Sequence, residues 1–139
     1  MIMNWVACSF ISMISFSAMM LLFKKLTETN MLPGVINFYF FLFSTVAIFL
    51  FNVIRGTKLE LPSNSIYIFV LTALIAVAAN FFSISAMKLA PNPGYAKAIQ
   101  SFDVSIITIA SVFLFGSQIT IAKAAGIVFS VLGLMLLSL

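Results

Sequence analysis

Asp103 is the residue of this chain whose type and placement most invite chemistry. It is one of three acids in 139 residues and stands about ten positions into an apolar stretch that the sequence predicts as a helix over 94–115. At 1.5 Å per residue that is about 15 Å along the helix, near the midplane if the helix crosses a bilayer. Holding a carboxylate there costs roughly 2.5–3.5 kcal/mol on insertion scales. Such a group can bind a proton or an organic cation, one at the expense of the other; the plainer reading is a hydrogen bond to a neighbouring helix.

Other polar residues share that helix. At 100° per residue, Lys97, Gln100, Ser101, Thr108 and Ser111 fall within about 100° of one another and form a stripe with Asp103 at its edge. Asp103 lies about 120° round and about 9 Å along from Lys97, so the two do not pair on one helix. Lys97 either snorkels to the interface or meets an anionic group of a substrate. A second stripe, Ala73, Ala76, Asn80, Ser83 and Met87, suits close packing or a cavity wall, with Asn80 and Ser83 as its polar members. Trp5, Tyr39, Tyr67 and Tyr95 fall near predicted span ends, where aromatic belts form and where a ring can also stack on a cation.

Composition says what must position these residues. The chain is 63% apolar and 7% charged, and its mean hydropathy is +1.24. A soluble domain is about 45–50% apolar and about 25% charged, so this is a membrane protein. There is no His and one Cys, Cys8. A metal site, a disulfide framework, a Cys–His couple and a Ser–His–Asp triad all lack their residues; no enzyme and no cofactor is expected. The seven basic residues give a net charge of +4 but never exceed two in a row, Lys24 and Lys25. They mark span ends and make no nucleic-acid surface.

The charges cut the chain into apolar runs that predict five transmembrane helices, at about 3–23, 34–54, 65–89, 94–115 and 121–139, in one all-α domain over 1–139. Runs of this length exceed barrel strands of about 9–11 residues and lack their alternation. Breaker residues fill the joints: Asn30, Pro33 and Gly34; then Gly56, Pro62, Ser63 and Asn64; then Pro91-Asn92-Pro93-Gly94, with Pro93 suited to begin a helix. In Gly116-Ser117-Gln118-Ile119-Thr120 a glycine ends one helix and Thr120 caps the next, which predicts a tight hairpin of the last two helices. Residues 1–23 are expected to be a mature span, since no positive residue precedes the apolar stretch and no small-x-small site closes it.

Two patterns point to a second copy. Ala122, Gly126, Ser130 and Gly133 line one flat edge of the last helix, where another helix can approach closely; the hydroxyls Ser9, Ser12, Ser15 and Ser17 predict close packing for the first helix as well. With five spans, one side of the membrane carries Arg55, Lys58 and Lys123, and the other carries Lys24, Lys25 and Lys88, with Lys97 at the margin. Orientation follows the difference between such counts, and here it is zero or one. Two copies inserted oppositely would make an inverted pair of ten helices; the simpler alternative is one fixed orientation set by insertion kinetics or a partner.

The stretch Pro93-Gly94-Tyr95-Ala96-Lys97-Ala98-Ile99, Asp103-Val104, Leu114-Phe115-Gly116-Ser117-Gln118-Ile119-Thr120, and the glycines Gly126 and Gly133 seven apart resemble the EamA-like domain of the drug/metabolite transporter superfamily. Trp5 opening the first span and Phe23-Lys24-Lys25 closing it are compatible. Two positions depart from the family pattern: Ser117 stands where glutamate is usual, and Val104 where proline is usual. The resemblance implies export or exchange of small metabolites or drugs by alternating access, with a full transporter of ten spans made from two such units. The four-span small multidrug resistance proteins are similar relatives, but their essential glutamate lies in the first span, which here has no acid.

The expected protein is thus a multi-pass subunit of the plasma (inner) membrane, embedded in lipid, dimeric, and binding a small-molecule substrate through Asp103, Lys97, Gln100, Asn80, Ser83 and Tyr95, with Gly126, Ser130 and Gly133 at the dimer or helix-packing edge. A flippase for a lipid-linked or phosphorylated compound, with Lys97 on the phosphate, and a scaffold or accessory subunit without transport are the alternatives. Reporter fusions to the C-terminus test dual topology: signal is expected from both sides of the membrane, and signal from one side alone would establish a fixed orientation.

Overall fold

The computed structural model describes residues 4–116 and 118–138. Met3, Ser117 and Leu139, which enter the expectations above, lie outside the described residues. All regular structure among the described residues is helical: α1 (Trp5–Glu28), α2 (Pro33–Arg55), α3 (Ile66–Leu89, led by a 3₁₀ turn at Ser63–Ser65), α4 (Pro93–Gln100), α5 (Asp103–Phe115) and α6 (Ile121–Ser138). Trp5–Glu28, Pro33–Arg55, Ser63–Leu89 and Pro93–Phe115 are each long and apolar enough to cross a membrane, while α6 contributes a shorter apolar segment, Ile121–Gly133.

The joints follow local chemistry. Gly56 and Gly116 end α2 and α5 at φ +65° and +63°, the left-handed conformation that a residue with a Cβ resists. Asn92 Oδ1 accepts from the Gly94 N–H at 2.8 Å, and Pro93 fills the first helical position of α4. Thr120 Oγ1 accepts from the Lys123 N–H at 3.4 Å, as a cap for α6. One boundary moves: α1 runs past Phe23 to Glu28. Lys24, Lys25, Leu26 and Glu28 are good helix formers, so charge closes the apolar run without closing the helix, which stops at Thr29 and Asn30, the latter at φ +61°.

By internal packing the chain divides into two units, the first ending at Leu89 and the second starting at Ala90. In the first, α3 lies against both α1 and α2. Ser83 and Met87 of α3 meet Met20 and Lys24 of α1 in the same chain order, so these helices run parallel. Asn37 meets Val77, and Gly34 faces the Phe81 ring, so α2 runs antiparallel to α3. The small core of this unit is Met20, Phe23, Ile36, Ile84 and Met87, all buried, with Phe23 edge-on to Phe40 of α2 at 5.2 Å. Lys24 Nζ donates to the Met87 carbonyl at 3.1 Å, one of the last four carbonyls of α3 and therefore without a helical partner. A charged donor at such a carbonyl is worth roughly 1.5–3 kcal/mol.

The hydroxyls of α1 are not covered by the described residues of their own chain. Ser9, Ser12, Ser15 and Ser17 are exposed, and Ser9, Ser15 and Ser17 donate to the carbonyls of Trp5, Ile11 and Met13 at 2.8–2.9 Å. Back-bonding to the residue four earlier satisfies each hydroxyl within its own helix.

The second unit corrects one expectation. The helix expected over 94–115 is two helices, because Ser101 and Phe102 tighten to three-residue spacing. Phe102 N–H donates to Ile99, Val104 N–H to Ser101 and Ser105 N–H to Phe102, at 3.0–3.3 Å, and Ser101 Oγ takes the Ala98 carbonyl at 2.6 Å. A serine hydroxyl entering the carbonyl ladder is a recognised cause of such interruptions, and no proline is needed. α6 packs on α4, the first part of the helix expected over 94–115. Residues beside the turn are bulky and stay exposed, Phe113, Phe115 and Ile121 at 80–90%, whereas Gly94, Ala96 and Ala98 keep α4 slim.

Gly56→Ala is expected to lower the stability of the detergent-solubilised chain by about 1 kcal/mol, the strain of a side chain in the left-handed region. Gly34→Ala should be neutral or slightly stabilising, because its Cβ would meet the Phe81 ring at an ordinary 3.8 Å. Thermal unfolding of both variants checks the pair.

Candidate functional site

Asp103 is the first residue of α5, directly after the interruption, and its side chain is exposed. It remains central in the apolar segment Pro93–Phe115. The N–H groups of Val104, Ser105 and Ile106 donate to carbonyls across the interruption, so the carboxylate follows the interruption in the chain without capping it. Of the other expected residues, Tyr95, Lys97 and Gln100 sit on α4, with Lys97 and Gln100 half-buried and Tyr95 exposed. Thr108 and Ser111 of the expected stripe lie beyond the interruption on α5, and the Thr108 hydroxyl donates to the Val104 carbonyl at 2.7 Å.

Asn80 and Ser83 belong to the first unit, on α3, and both are half-buried. The stripe they share grows more buried toward its end, from exposed Ala73 to fully buried Met87. It meets α1 there: the Ser83 hydroxyl donates to Met20 Sδ at 3.7 Å, and the Met87 carbonyl receives Lys24. Close packing accounts for the end of this stripe.

Gly126, Ser130 and Gly133 share α6. Nothing lies within 4 Å of the Cβ position at either glycine, and the Ser130 hydroxyl donates to the Gly126 carbonyl at 2.9 Å. This edge is uncovered by the described residues of its own chain.

Sequence reasoning passed over Asn37. Its side chain is buried, 5% exposed, on the otherwise phenylalanine-rich α2. Nδ2 donates across to the Val77 carbonyl of α3 at 3.0 Å, while Oδ1 has no hydrogen-bond partner. A buried acceptor left unpaired costs about 1–3 kcal/mol. Asn37 borders an open groove of about 690 Å³ between α2 and α3, flanked by Phe38, Phe41, Phe81 and Phe82, from which Oδ1 itself is sealed. A smaller hollow of about 380 Å³ between α1 and α2 is bounded by Phe23, Tyr39, Phe40 and Phe43. The available signal was a lone amide one turn into a helix with almost no other strongly polar group before Asn52.

The model of the EamA-like transporter family matches residues 3–139. No curated protein and no solved structure matches the chain.

Proposed function

The chain belongs to the EamA-like transporter family, and from that premise we propose that it is a subunit of a small-molecule transporter that works by alternating access as a dimer, with Asp103 as the site for a proton or organic cation. The observation that carries this reading is the interruption of an apolar span at Ser101 and Phe102 with the acid placed directly after it. Irregular backbone inside a membrane is tolerated where protein or a water-filled cavity satisfies it, and transporters use such breaks to hold ions and substrates. An exposed carboxylate at the start of a half-helix is suited to exchange a proton for a cationic group.

Substrate contacts are assigned in the same reading to Lys97, Gln100 and Tyr95, which share the second unit with Asp103. Dimerisation is supported by the open edge at Gly126, Ser130 and Gly133, which has room for a helix of a second copy. The even division of basic residues between the two sides favours an antiparallel pair, with α6 as the fifth crossing, in the plasma (inner) membrane.

The test is uptake of the organic cation ethidium into proteoliposomes under an imposed pH gradient. Asp103→Asn is expected to lower gradient-driven uptake by about tenfold or more, equivalent to about 1.4 kcal/mol, and to flatten its pH dependence. Unchanged uptake and pH dependence would defeat the assignment of Asp103.

A further inference from the structure

Two amides beside the contact between α2 and α3 are left incompletely used. Asn37 is 5% exposed; its Nδ2 donates to the Val77 carbonyl at 3.0 Å, while Oδ1 is buried without a partner. Val77 is in the interior of α3 (Ile66–Leu89), where a carbonyl already accepts from the N–H four residues on. Asn37 is thus a second donor to a satisfied group. Asn80, half-buried on α3, has no side-chain hydrogen bond among the described residues. We propose that the α2–α3 contact is a two-state switch: in its second state α2 shifts on α3 until Asn37 and Asn80 form an amide pair, with Asn37 Oδ1 accepting from Asn80 Nδ2.

Placement brings the pair within reach. Asn80 is three residues past Val77, about 4.5 Å along α3 and about 60° round it, and Ser83, which meets Met20 of α1, is as far round again. Asn80 therefore stands between the face of α3 that meets α2 and the face that meets α1. Residues three apart have Cβ atoms about 5–6 Å from each other, so a shift of no more than about 4.5 Å, less than one turn, takes Asn37 from Val77 to Asn80. Gly34, opposite the Phe81 ring, presents no side chain to obstruct it. Of α2 only Ile36 and Asn37 are buried, so the helix is held near one end, and the groove of about 690 Å³ beside them leaves room for the shift.

The hydrogen-bond balance keeps the two states close. In the first, one buried acceptor is unpaired, a cost comparable with the gain from one interhelical hydrogen bond. In the second, Oδ1 is paired, Asn80 gains a partner, and the Val77 carbonyl keeps its bond within α3, so no polar group is newly stranded. What opposes the change is the loss of packing around Ile36, which is 2% exposed. Packed helices move between discrete arrangements of this kind. α1 is not such an element, because the Lys24–Met87 and Met20–Ser83 contacts hold it to α3 at two points.

The shift is read by fluorine NMR on the full chain in phosphatidylcholine bicelles, with a trifluoromethyl label on Leu42→Cys, which borders the groove, in a Cys8→Ser background. Two exchanging signals are expected, resolved in the spectrum or by relaxation dispersion, in proportions independent of the lipid-to-protein ratio. Asn80→Leu and Asn37→Leu should each deplete the same signal by about fivefold or more, the factor of one hydrogen bond. Ser83→Ala, one turn along α3, should leave both. A single signal without dispersion in the parent chain would overturn the proposal whatever the variants do. So would two signals that persist in Asn80→Leu, that Ser83→Ala collapses equally, or that follow the lipid-to-protein ratio, which would assign them to association of copies. The spectra report the helix contact and not transport, so failure of the Asp103 assignment leaves them intact.

Discussion

Within the hydrocarbon of a bilayer there is no water to satisfy a stranded polar group, and that constraint organises nearly every polar contact in this protein. Backbone groups are spent inside helices. Hydroxyls turn inward on their own helices, as Ser9, Ser15, Ser17, Ser85, Thr108 and Ser130 do. The few polar atoms that leave their helix do so to tie one span to another: Lys24 to Met87, Ser83 to Met20, Asn37 to Val77. Against this background Asn37 Oδ1 stands out as a side-chain atom, buried and without a partner.

The same solvent explains how little of the chain is buried. Lipid is as apolar as leucine, so helices gain nothing from hiding hydrophobic side chains from it, and association rests on packing and interhelical hydrogen bonds. The core of the first unit is accordingly a handful of residues near one end of α1 and α3, beside the tie at Lys24, while Phe10, Phe43, Leu71 and many others stay exposed. Large apolar faces that would mark an aggregation hazard on a water-soluble domain are here the ordinary lipid-facing surface.

Much of this was legible in the residue order. Span lengths follow from bilayer thickness, and Pro33, Gly56, Pro93, Gly116 and Thr120 act at the joints where their backbone chemistry places them. What escaped depended on competition that a periodicity argument does not weigh. Lys24 and Lys25 end an apolar run, yet their helix propensity carries α1 to Glu28. Ser101 looks like one more member of a polar stripe, but its hydroxyl competes for the Ala98 carbonyl and the helix parts there, without the proline that the family pattern places at Val104. Asn80 drew attention as a central amide, whereas Asn37 gains its importance from the α3 segment opposite it, which one-dimensional reasoning does not see. The family match spans residues 3–139, which agrees with a resemblance that covers all five spans and has its specific motifs over residues 93–133.

The two contacts between α1 and α3 have a mechanical meaning. Met20 and Lys24 are four residues apart, as are Ser83 and Met87, so the pair works like two teeth of a vernier with the pitch of one helical turn. A slip of one residue, about 1.5 Å, parts both contacts together. A slip of a full turn, about 5.4 Å, that brings Lys24 level with Ser83 leaves its ammonium among carbonyls already spent on the helix ladder. Sliding that carries Lys24 toward Ser83 therefore gives up both contacts at once and offers the ammonium no free carbonyl in exchange.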